Sequence, residues 1–454
     1  MCCLAMQSIA KPFTADWESI NSRAIPKWFQ DAKFGIFIHW GVYSVPAWAP
    51  VDADVGIYGK YSEWYWWRIM NPYDKVGKLF REHHNKVYGP EFKYHDFARE
   101  FTAEHFNASQ WAELFKNAGA KYVVLTAKHH DGFTLWPSSK SKGWNSMDIG
   151  SKRDLCGEFA KAVRESGLRM GFYYSLYEWF NPVYHLDVDK YVEQHMIPQM
   201  KDLVNSYHPD ILWVDGEWDH YSEVWRSVEF LQWLYNESPV RDFVVVNDRW
   251  GKETRGAKGG FFTTEYGIGR SDKDISQFMH PWEECRGIGT SFGYNRMETA
   301  DHYSSAEELV HMLIKIVANG GNLLLNVGPT ADGLIPAIQQ QRLLEIGEWL
   351  RVNGEAIYGT RRWNGAQLNT HLENTFFTQK DNDLFVIVTK FPQAPFTVKG
   401  LQNFEKISLI GYDGMVNSHY YNGKLTIVPP MISPIENQFK HAWVFQIGNI
   451  SGKN

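Results

Sequence analysis

The sequence predicts an α/β protein in which a (β/α)8-like TIM barrel precedes a C-terminal antiparallel β-sandwich. Eight short apolar runs occur before about residue 359, and helical patterns separate most of them. Strands that alternate with helices favour a parallel sheet, and eight such strands fit a (β/α)8 barrel. The chain of 454 residues is too long for one ordinary domain and suits a large barrel with a smaller module.

The predicted barrel domain covers residues 11–359. Its strands are apolar runs bounded by turn signals, which is the pattern of strands buried on both faces. In chain order these runs cover 34–41, 122–131, 168–175, 211–216, 243–249, 261–265, 290–294 and 322–329, of which 290–294 is the weakest. Helices are expected at 17–30, 111–118, 157–166, 190–207, 223–236, 306–318 and 336–353.

The predicted second domain covers residues 360–454, where no helical period occurs. Short strands are expected there between turns rich in Gly, Asn, Asp and Pro. A segment of this kind and length is typical of an antiparallel β-sandwich. The expected strands lie at 384–390, 406–411, 424–428 and 443–447.

Charge and composition exclude several classes of protein. The net charge of −6 is small and no block of Lys and Arg occurs, so we expect no nucleic-acid partner. No run is long enough to span a membrane. The sequence leaves open whether the protein forms a homo-oligomer. The four cysteines indicate neither a disulfide framework nor a zinc site, because they are the adjacent Cys2 and Cys3 and the isolated Cys156 and Cys285.

The first ten residues are mostly small and apolar and end in Ser8-Ile9-Ala10. They resemble the tail of a secretory signal peptide with its cleavage site, although no basic region precedes them. On this interpretation the protein is secreted, periplasmic or in a lysosome-like compartment. An ordinary N-terminus is the alternative, and it leaves a cytoplasmic location open.

Polar side chains follow six of the predicted strands at their C-terminal ends. In (β/α)8 barrels the active site lies on this face. Asp215 alone could cap the helix that follows it, because Asp is a common N-cap residue. The same pattern, a polar side chain at the end of a strand, recurs along the chain, and this recurrence favours a functional site. The series comprises His39, Lys128 to Asp131, Tyr173, Asp215, Asp248, Arg249 and Glu265.

Two carboxylates on this face, Asp215 and Glu265, are the minimum for cleavage of a glycoside. One attacks the anomeric carbon or activates water, and the other protonates the leaving oxygen. Asp215 is short and lies on a rigid strand, which suits a nucleophile that must hold its position. We assign Arg249 to orientation and charge stabilisation.

The composition also favours a sugar-binding cavity. The chain has 20 Trp, 23 Tyr and 28 Phe, and flat side chains of this kind can line sites for sugars. Twenty Trp is more than a core of this size needs, so several are expected in a pocket. Trp64 and Phe292 could form an apolar wall against a methyl group or a ring face. The groups suited to hydrogen-bond sugar hydroxyls are His39, Glu63, His129 and His130.

Metal-assisted hydrolysis is the competing chemistry. His39, His129, His130, Asp131 and Asp215 could together hold a divalent cation. Against a metal site, His129 and His130 are adjacent and point to opposite sides if the strand continues through them. No His-x-His or His-x3-His pair occurs at these strand ends. We therefore predict no metal and no other cofactor.

Five motifs carry a resemblance to a known family. They are FGIFIHWGVYSVPAW from residue 34, EWY from 63, KHHDGF from 128, WVDG from 213 and NLLLNVGP from 322. They resemble the α-L-fucosidases of glycoside hydrolase family 29, in order from about residue 17 to 358. The C-terminal segment is similar in kind only.

The resemblance implies a retaining exo-hydrolase that removes terminal α-L-fucose from oligosaccharides or glycoconjugates by double displacement. The nucleophile then falls on Asp215 and the acid/base on Glu265, with Glu283 as the reserve acid/base and Glu217 as a weaker one. A non-catalytic fucose-binding barrel is the alternative, and the presence of both carboxylates argues against it. The implied fucose-binding residues are His39, Glu63, Trp64, His129, His130, Tyr173, Arg249 and Phe292.

Overall fold

Eight parallel strands form one sheet, as the sequence predicts. The computed structural model describes residues 11–52, 54–267, 279–363, 372–401, 403–432 and 440–450. The strand order is β5-β4-β3-β2-β1-β8-β7-β6, and every hydrogen-bonded pair in the sheet is parallel. The strands are β1 (Phe34–Ile38), β2 (Tyr122–Lys128), β3 (Arg169–Ser175), β4 (Ile211–Asp215), β5 (Val245–Val246), β6 (Phe262–Glu265), β7 (Trp282–Gly287) and β8 (Asn322–Val327).

Helices separate most of these strands, and two of the predicted helices are interrupted. Pro26 has an extended backbone and disfavours helix at the residue before it, so the first predicted helix is two short ones. A π-helical turn, Val192–Met196, interrupts the predicted helix 190–207. The α-helices are Trp17–Asn21, Lys27–Ala32, Tyr65–Met70, Lys75–Val87, Ala108–Asn117, Leu155–Glu165, Pro182–Leu186, Val188–Tyr191, Ile197–Tyr207, Ser227–Asn236, Ala306–Ala318 and Ala337–Asn353.

The seventh strand lies at β7 and not at residues 290–294, so that prediction is wrong. β7 contains two glutamates and does not form an apolar run. The pattern used to predict strands therefore did not identify it. It can be buried because Glu283 accepts hydrogen bonds from Tyr122 Oη and from Trp213 Nε1, the latter at 2.9 Å. Buried carboxylates are tolerated when such donors satisfy them.

The sheet curls, but its two edges are not joined by a ladder, so a fully closed barrel is not observed. Side chains from β2, β4 and β7 meet at Glu283, which requires the sheet to curve around them. β5 ends early because the Asn247 side chain takes the place of the main chain, donating to Val214 O at 2.8 Å. A single parallel bridge joins Asn247 to Phe261 across the seam between β5 and β6.

The C-terminal segment folds as two antiparallel sheets, in the order β13-β16-β11-β10-β9 and β12-β15-β14. All four predicted strands are present. Apolar side chains from both sheets form one core, in which the rings of Phe396 and Phe445 lie 5.2 Å apart. The strands are β9 (Arg361–Arg362), β10 (Thr375–Lys380), β11 (Asp383–Val388), β12 (Phe396–Lys399), β13 (Lys406–Leu409), β14 (Asn417–Tyr421), β15 (Lys424–Val428) and β16 (Trp443–Gly448).

Residues 1–10, which carry the predicted secretory signal, lie outside the described residues. Within the described ranges, no helix combines the length and apolar character needed to cross a bilayer.

Gly35 tests how tightly the sheet core is packed. A Cβ on Gly35 would lie 2.3 Å from Tyr122 Cε2 and would push that ring away from Glu283. We expect Gly35→Ala to lower the free energy of unfolding by about 1–3 kcal/mol, the usual cost of overpacking. Gly56→Ala is the control, because its Cβ meets nothing within 4 Å. Denaturant unfolding measures both, and equal stabilities for the two variants would contradict this packing.

Candidate active site

A cavity of about 400 Å³ opens at the C-terminal ends of the parallel strands. All ten side chains predicted for catalysis or fucose binding line it: His39, Glu63, Trp64, His129, His130, Tyr173, Asp215, Arg249, Glu265 and Phe292. Most of them lie at or just after strand ends far apart in sequence, as expected when parallel strands finish at one edge, whereas Glu63, Trp64 and Phe292 come from the connecting segments. Its other lining residues are Phe37, Tyr58, Tyr61, Arg68, Trp213, Trp218, Arg255 and Cys285.

One guanidinium contacts both candidate catalytic carboxylates. Arg249 Nη1 donates to Asp215 Oδ1 at 2.8 Å, and Arg249 Nη2 lies 3.4 Å from Glu265 Oε2. The two carboxylates are therefore separated by no more than the width of a guanidinium and its two hydrogen bonds. Such a short separation is what a pair acting on one glycosidic bond requires.

Arg249 is itself held rigidly. Its side chain is buried, and its Nε donates to Thr263 Oγ1 at 3.0 Å. Thr263 in turn donates to Asp248 Oδ1 at 2.7 Å. The guanidinium carbon also lies 4.4 Å from the centroid of the Trp213 ring, a cation–π contact. The strand-end residue Asp248 thus supports the site from behind and does not line the cavity.

Asp215 is kept ionised by cations around it. Burial is the largest influence and acts to raise the pKa of Asp215, but the guanidinium groups of Arg249 and Arg255, together with His130 when its ring is protonated, lower this pKa to about 2. Tyr173 Oη donates to Asp215 Oδ2 at 2.9 Å, and His130 Nε2 lies 3.7 Å from the same oxygen. An ionised, fixed carboxylate is the form that a nucleophile needs.

Two histidines in the cavity have protonation patterns that their neighbours define. Asn326 donates its amide to Phe292 O, so its Oδ1 accepts from His39 Nδ1 at 2.7 Å. Ser175 donates to a backbone carbonyl, so its hydroxyl oxygen accepts from His130 Nδ1 at 2.6 Å. Burial lowers the pKa of His39 to about 3 and that of His130 to about 4. Both rings are therefore neutral, with Nε2 as the acceptor atom, and in His130 this atom lies 3.4 Å from Tyr173 Oη.

His129 is also buried and neutral, because burial lowers its pKa well below the usual range. Its Nδ1 has no hydrogen-bond partner among the described residues. The ring stacks at 13° on Tyr173, with 5.6 Å between centroids. A buried polar atom left without a partner in a cavity wall is suited to a hydroxyl of a bound ligand.

Glu63 enters the cavity from the loop after β1. Its Oε2 accepts from Gly293 N at 2.8 Å and from Ser291 Oγ at 3.3 Å. Burial raises the pKa of Glu63 to about 7, despite these hydrogen bonds. The carboxyl group is therefore available near neutral pH both as a donor and as an acceptor.

Aromatic rings form the cavity walls. Phe292 lies 4.8 Å from His39 and 5.3 Å from Tyr61 between ring centroids. Trp64 lies 6.0 Å from Trp218, which is partly exposed at the cavity mouth. These rings give one apolar wall inside the cavity and a second one at its entrance.

The two reserve carboxylates lie outside the cavity lining. Glu283 is bound by Tyr122 and Trp213 inside the sheet, and burial raises its pKa to about 7. Glu217 is buried beside Arg255, and burial raises its pKa as well.

Sequence reasoning missed several lining residues, of which Tyr61 and Arg255 contact the carboxylates. Tyr61 Oη donates to Glu265 Oε1 at 2.9 Å, and Arg255 Nη2 lies 3.5 Å from Asp215 Oδ1. The aromatic segment around Glu63 was a usable signal for Tyr61. Arg255 lies in a turn without any periodic pattern, and no signal in the sequence pointed to it.

The structure groups no three His, Cys, Asp or Glu side chains as a metal site within its described residues.

Glycoside hydrolases carry two carboxyl groups on opposite sides of the scissile bond, and many hold them at the C-terminal edge of parallel strands. Asp215 and Glu265 lie together at this edge, in a cavity walled by aromatic rings and neutral hydrogen-bonding groups. The fold and the site therefore define a glycoside hydrolase.

Comparisons with known proteins define the family. The α-L-fucosidase family model matches residues 1–355. The human tissue α-L-fucosidase is 41% identical over 456 residues, which cover 96% of this chain and 92% of that protein. The human plasma α-L-fucosidase is 40% identical over 459 residues, which cover 97% and 93%. This chain belongs to the α-L-fucosidase family.

Solved structures agree with this family. The crystal structure of Thermotoga maritima α-fucosidase in complex with fucose superposes with a TM-score of 0.78 at 37% identity. The match covers 96% of this chain and 100% of that chain.

The raised pKa of Glu63 predicts a pH-dependent stability. The carboxyl binds its proton more tightly in the folded state, with a pKa of about 7 against 4.5 for the free group. Its contribution to stability is therefore greatest below pH 4.5 and is lost as the pH rises to about 7. We expect the unfolding temperature of Glu63→Gln, relative to the unchanged protein, to increase across this window and then level off. Exposed Glu113→Gln controls for the lost charge. A relative stability of Glu63→Gln that falls across the window would contradict the assignment.

Proposed function

We propose that this protein is a retaining exo-acting α-L-fucosidase that hydrolyses terminal α-L-fucose by double displacement. The observation that carries the proposal is the contact of one buried guanidinium, Arg249, with both Asp215 and Glu265. A retaining pair lies about 5–5.5 Å apart, whereas an inverting pair needs about 6.5–9.5 Å to admit water. Contact with one guanidinium brings both carboxylates within reach of one glycosidic bond, and membership of the α-L-fucosidase family supports the retaining class.

In the first step Asp215 forms a bond to the anomeric carbon while the glycosidic C–O bond breaks. Glu265 donates its proton to the leaving oxygen. Positive charge develops on the sugar ring in the transition state, and the nearby ionised Asp215 stabilises it. The neutral state of His39, His129 and His130 supports this step, because cationic rings there would oppose the developing charge.

In the second step Glu265 removes a proton from water, and the water oxygen replaces Asp215 at the anomeric carbon. Asp215 leaves as an anion, and Arg249 and the Tyr173 hydroxyl stabilise that charge. Each step inverts the anomeric carbon, so the released fucose has the same α configuration as the substrate.

The cavity supports recognition of a single terminal sugar. Buried Phe37, Trp213 and Cys285 line it at the strands and give it a closed floor, so a sugar enters from one side only. In this proposal Phe292 contacts the methyl group of fucose and Trp64 contacts the sugar ring face. The hydroxyl groups are bound by His39, Glu63, His129, His130, Tyr173 and Arg249.

The geometry favours Glu265 over the two reserve residues as the acid/base. Glu265 lines the cavity and is more exposed than Asp215, with side-chain exposures of 20% and 11%. Glu283 would have to leave Tyr122 and Trp213 to reach a substrate. Glu217 lies behind Arg255 and not in the cavity lining.

We further propose residues 11–359 as the catalytic domain, a (β/α)8-like barrel with an open seam, and residues 360–454 as a β-sandwich domain without chemistry of its own. The substrates in this proposal are fucosylated oligosaccharides or glycoconjugates. The tissue and plasma relatives agree with a secreted or lysosome-like compartment. A homo-oligomer is a separate proposal, tested by sedimentation.

Removing the nucleophile tests the proposed function. We expect Asp215→Gly to lose almost all hydrolysis of nitrophenyl α-L-fucoside, because no carboxylate can attack the anomeric carbon. Azide should occupy the vacated space and restore turnover, with β-L-fucosyl azide as the product seen by NMR. Nitrophenyl β-D-galactoside and α-L-arabinoside control for substrate class. An unchanged protein that binds α-L-fucosides but never cleaves them would favour a non-catalytic fucose-binding barrel, and activity abolished by EDTA would favour a metal hydrolase.

The acid/base assignment is tested by comparing leaving groups. Glu265→Ala should slow cleavage of fucosides with poor leaving groups by roughly 10²–10⁴-fold, the usual contribution of general acid catalysis. Dinitrophenyl fucoside, which leaves without protonation, should be affected far less. Glu283→Gln is the matched comparison and should keep the ratio of the two rates. If only Glu283→Gln changes that ratio, Glu283 is the acid.

A further inference from the structure

Glu217 is a buried carboxylate that the proposed mechanism does not use. It lies two residues after Asp215, with Gly216 between them at a φ of +77°, and it is 1% exposed. Its Oε1 accepts from Arg255 Nε, while its Oε2 has no hydrogen-bond partner among the described residues. A buried carboxylate oxygen without a partner is costly and calls for an explanation.

Arg255 is shared between Glu217 and the nucleophile. Its Nη2 lies 3.5 Å from Asp215 Oδ1, the same oxygen that Arg249 contacts at 2.8 Å. The Arg255 side chain is 37% exposed and lines the cavity, whereas Arg249 is enclosed. Of the two guanidinium groups at Asp215, Arg255 is therefore the one with room to move.

The unpaired oxygen of Glu217 fits a second position of Arg255. A guanidinium binds a carboxylate most strongly through two parallel hydrogen bonds, one to each oxygen. Arg255 Nε already contacts Glu217 Oε1, so a small shift of Nη2 from Asp215 to Oε2 would complete such a pair. The shift becomes favourable when Asp215 loses its negative charge.

We propose that Glu217 is a positioning residue that draws Arg255 away from Asp215 when the nucleophile becomes a neutral glycosyl ester, and releases it when the anion returns. This inference rests on the proposed role of Asp215. Two cations fixed on Asp215 would stabilise its anion and oppose attack on the anomeric carbon. Glu217 binds one of these cations, Arg255, during ester formation and so removes it from Asp215. Arg255 returns to stabilise the Asp215 anion as the ester is hydrolysed.

The two residues therefore affect the two steps in opposite directions. Without the Glu217 charge, Arg255 stays on Asp215, so Glu217→Gln should slow ester formation by about tenfold with little effect on ester hydrolysis, a size typical of directly interacting residues. Without Arg255 the departing anion loses a partner, so Arg255→Met should slow hydrolysis of the ester and not its formation. In the double variant Glu217→Gln should have no further effect, because the cation on which it acts is absent.

Pre-steady-state release of dinitrophenolate from dinitrophenyl α-L-fucoside separates the two steps, and the burst amplitude counts the folded active sites. Glu158→Gln is the matched control, because it breaks another arginine–glutamate pair, with Arg153 Nε at 3.0 Å, that does not line the cavity. A merely structural Glu217 would slow both steps alike or keep its effect without Arg255, and either result overturns the inference.

Arg255 is partly exposed, so Arg255→Met provides the test if Glu217→Gln does not fold. An unchanged ratio of ester formation to ester hydrolysis in Arg255→Met overturns the inference. That outcome is distinct from failure of the proposed function, in which the unchanged protein forms no glycosyl ester and Asp215→Gly gives no β-L-fucosyl azide.

Discussion

A buried arginine between two carboxylates is the constraint around which the catalytic end of this sheet is built. Burying a guanidinium costs several kcal/mol unless its charge and donors are satisfied. Arg249 is satisfied by Asp215 on one side and Glu265 on the other, with Thr263 below and the Trp213 ring against its face. The same contacts fix the spacing of the carboxylates, so stability of the buried charge and alignment of the proposed catalytic pair have one origin.

The open seam of the sheet follows from the position of this arginine. β5 has only two residues, and the Asn247 amide then takes over the main-chain contacts to β4. The chain can therefore leave the sheet at Asn247 and turn Arg249 toward β4 and β6. Gly260 allows the return, because a Cβ there would lie 1.7 Å from Val246 O. If β5 and β6 paired in a regular ladder, the chain could not make the turn that directs Arg249 toward β4 and β6.

Much of the fold and of the site could be predicted because both depend on local patterns. Apolar runs ending in polar residues located most of the strands and brought Asp215 and Glu265 to one face. β7 was missed because its burial depends on Tyr122 and Trp213, which lie far away in sequence. Arg255 and the unpaired oxygen of Glu217 were also beyond prediction, since their importance arises only from distances across the folded chain.

In the proposed mechanism Asp215 acts as a nucleophile and carries the fucosyl group between two inversions. The configuration of the first-formed sugar is the decisive test of this role. Proton NMR of a nitrophenyl α-L-fucoside, recorded before mutarotation, distinguishes the two anomers of the released fucose. If Asp215 is the nucleophile, α-L-fucose appears first and the β anomer grows in later. Initial release of β-L-fucose would mean a single displacement by water and would contradict it.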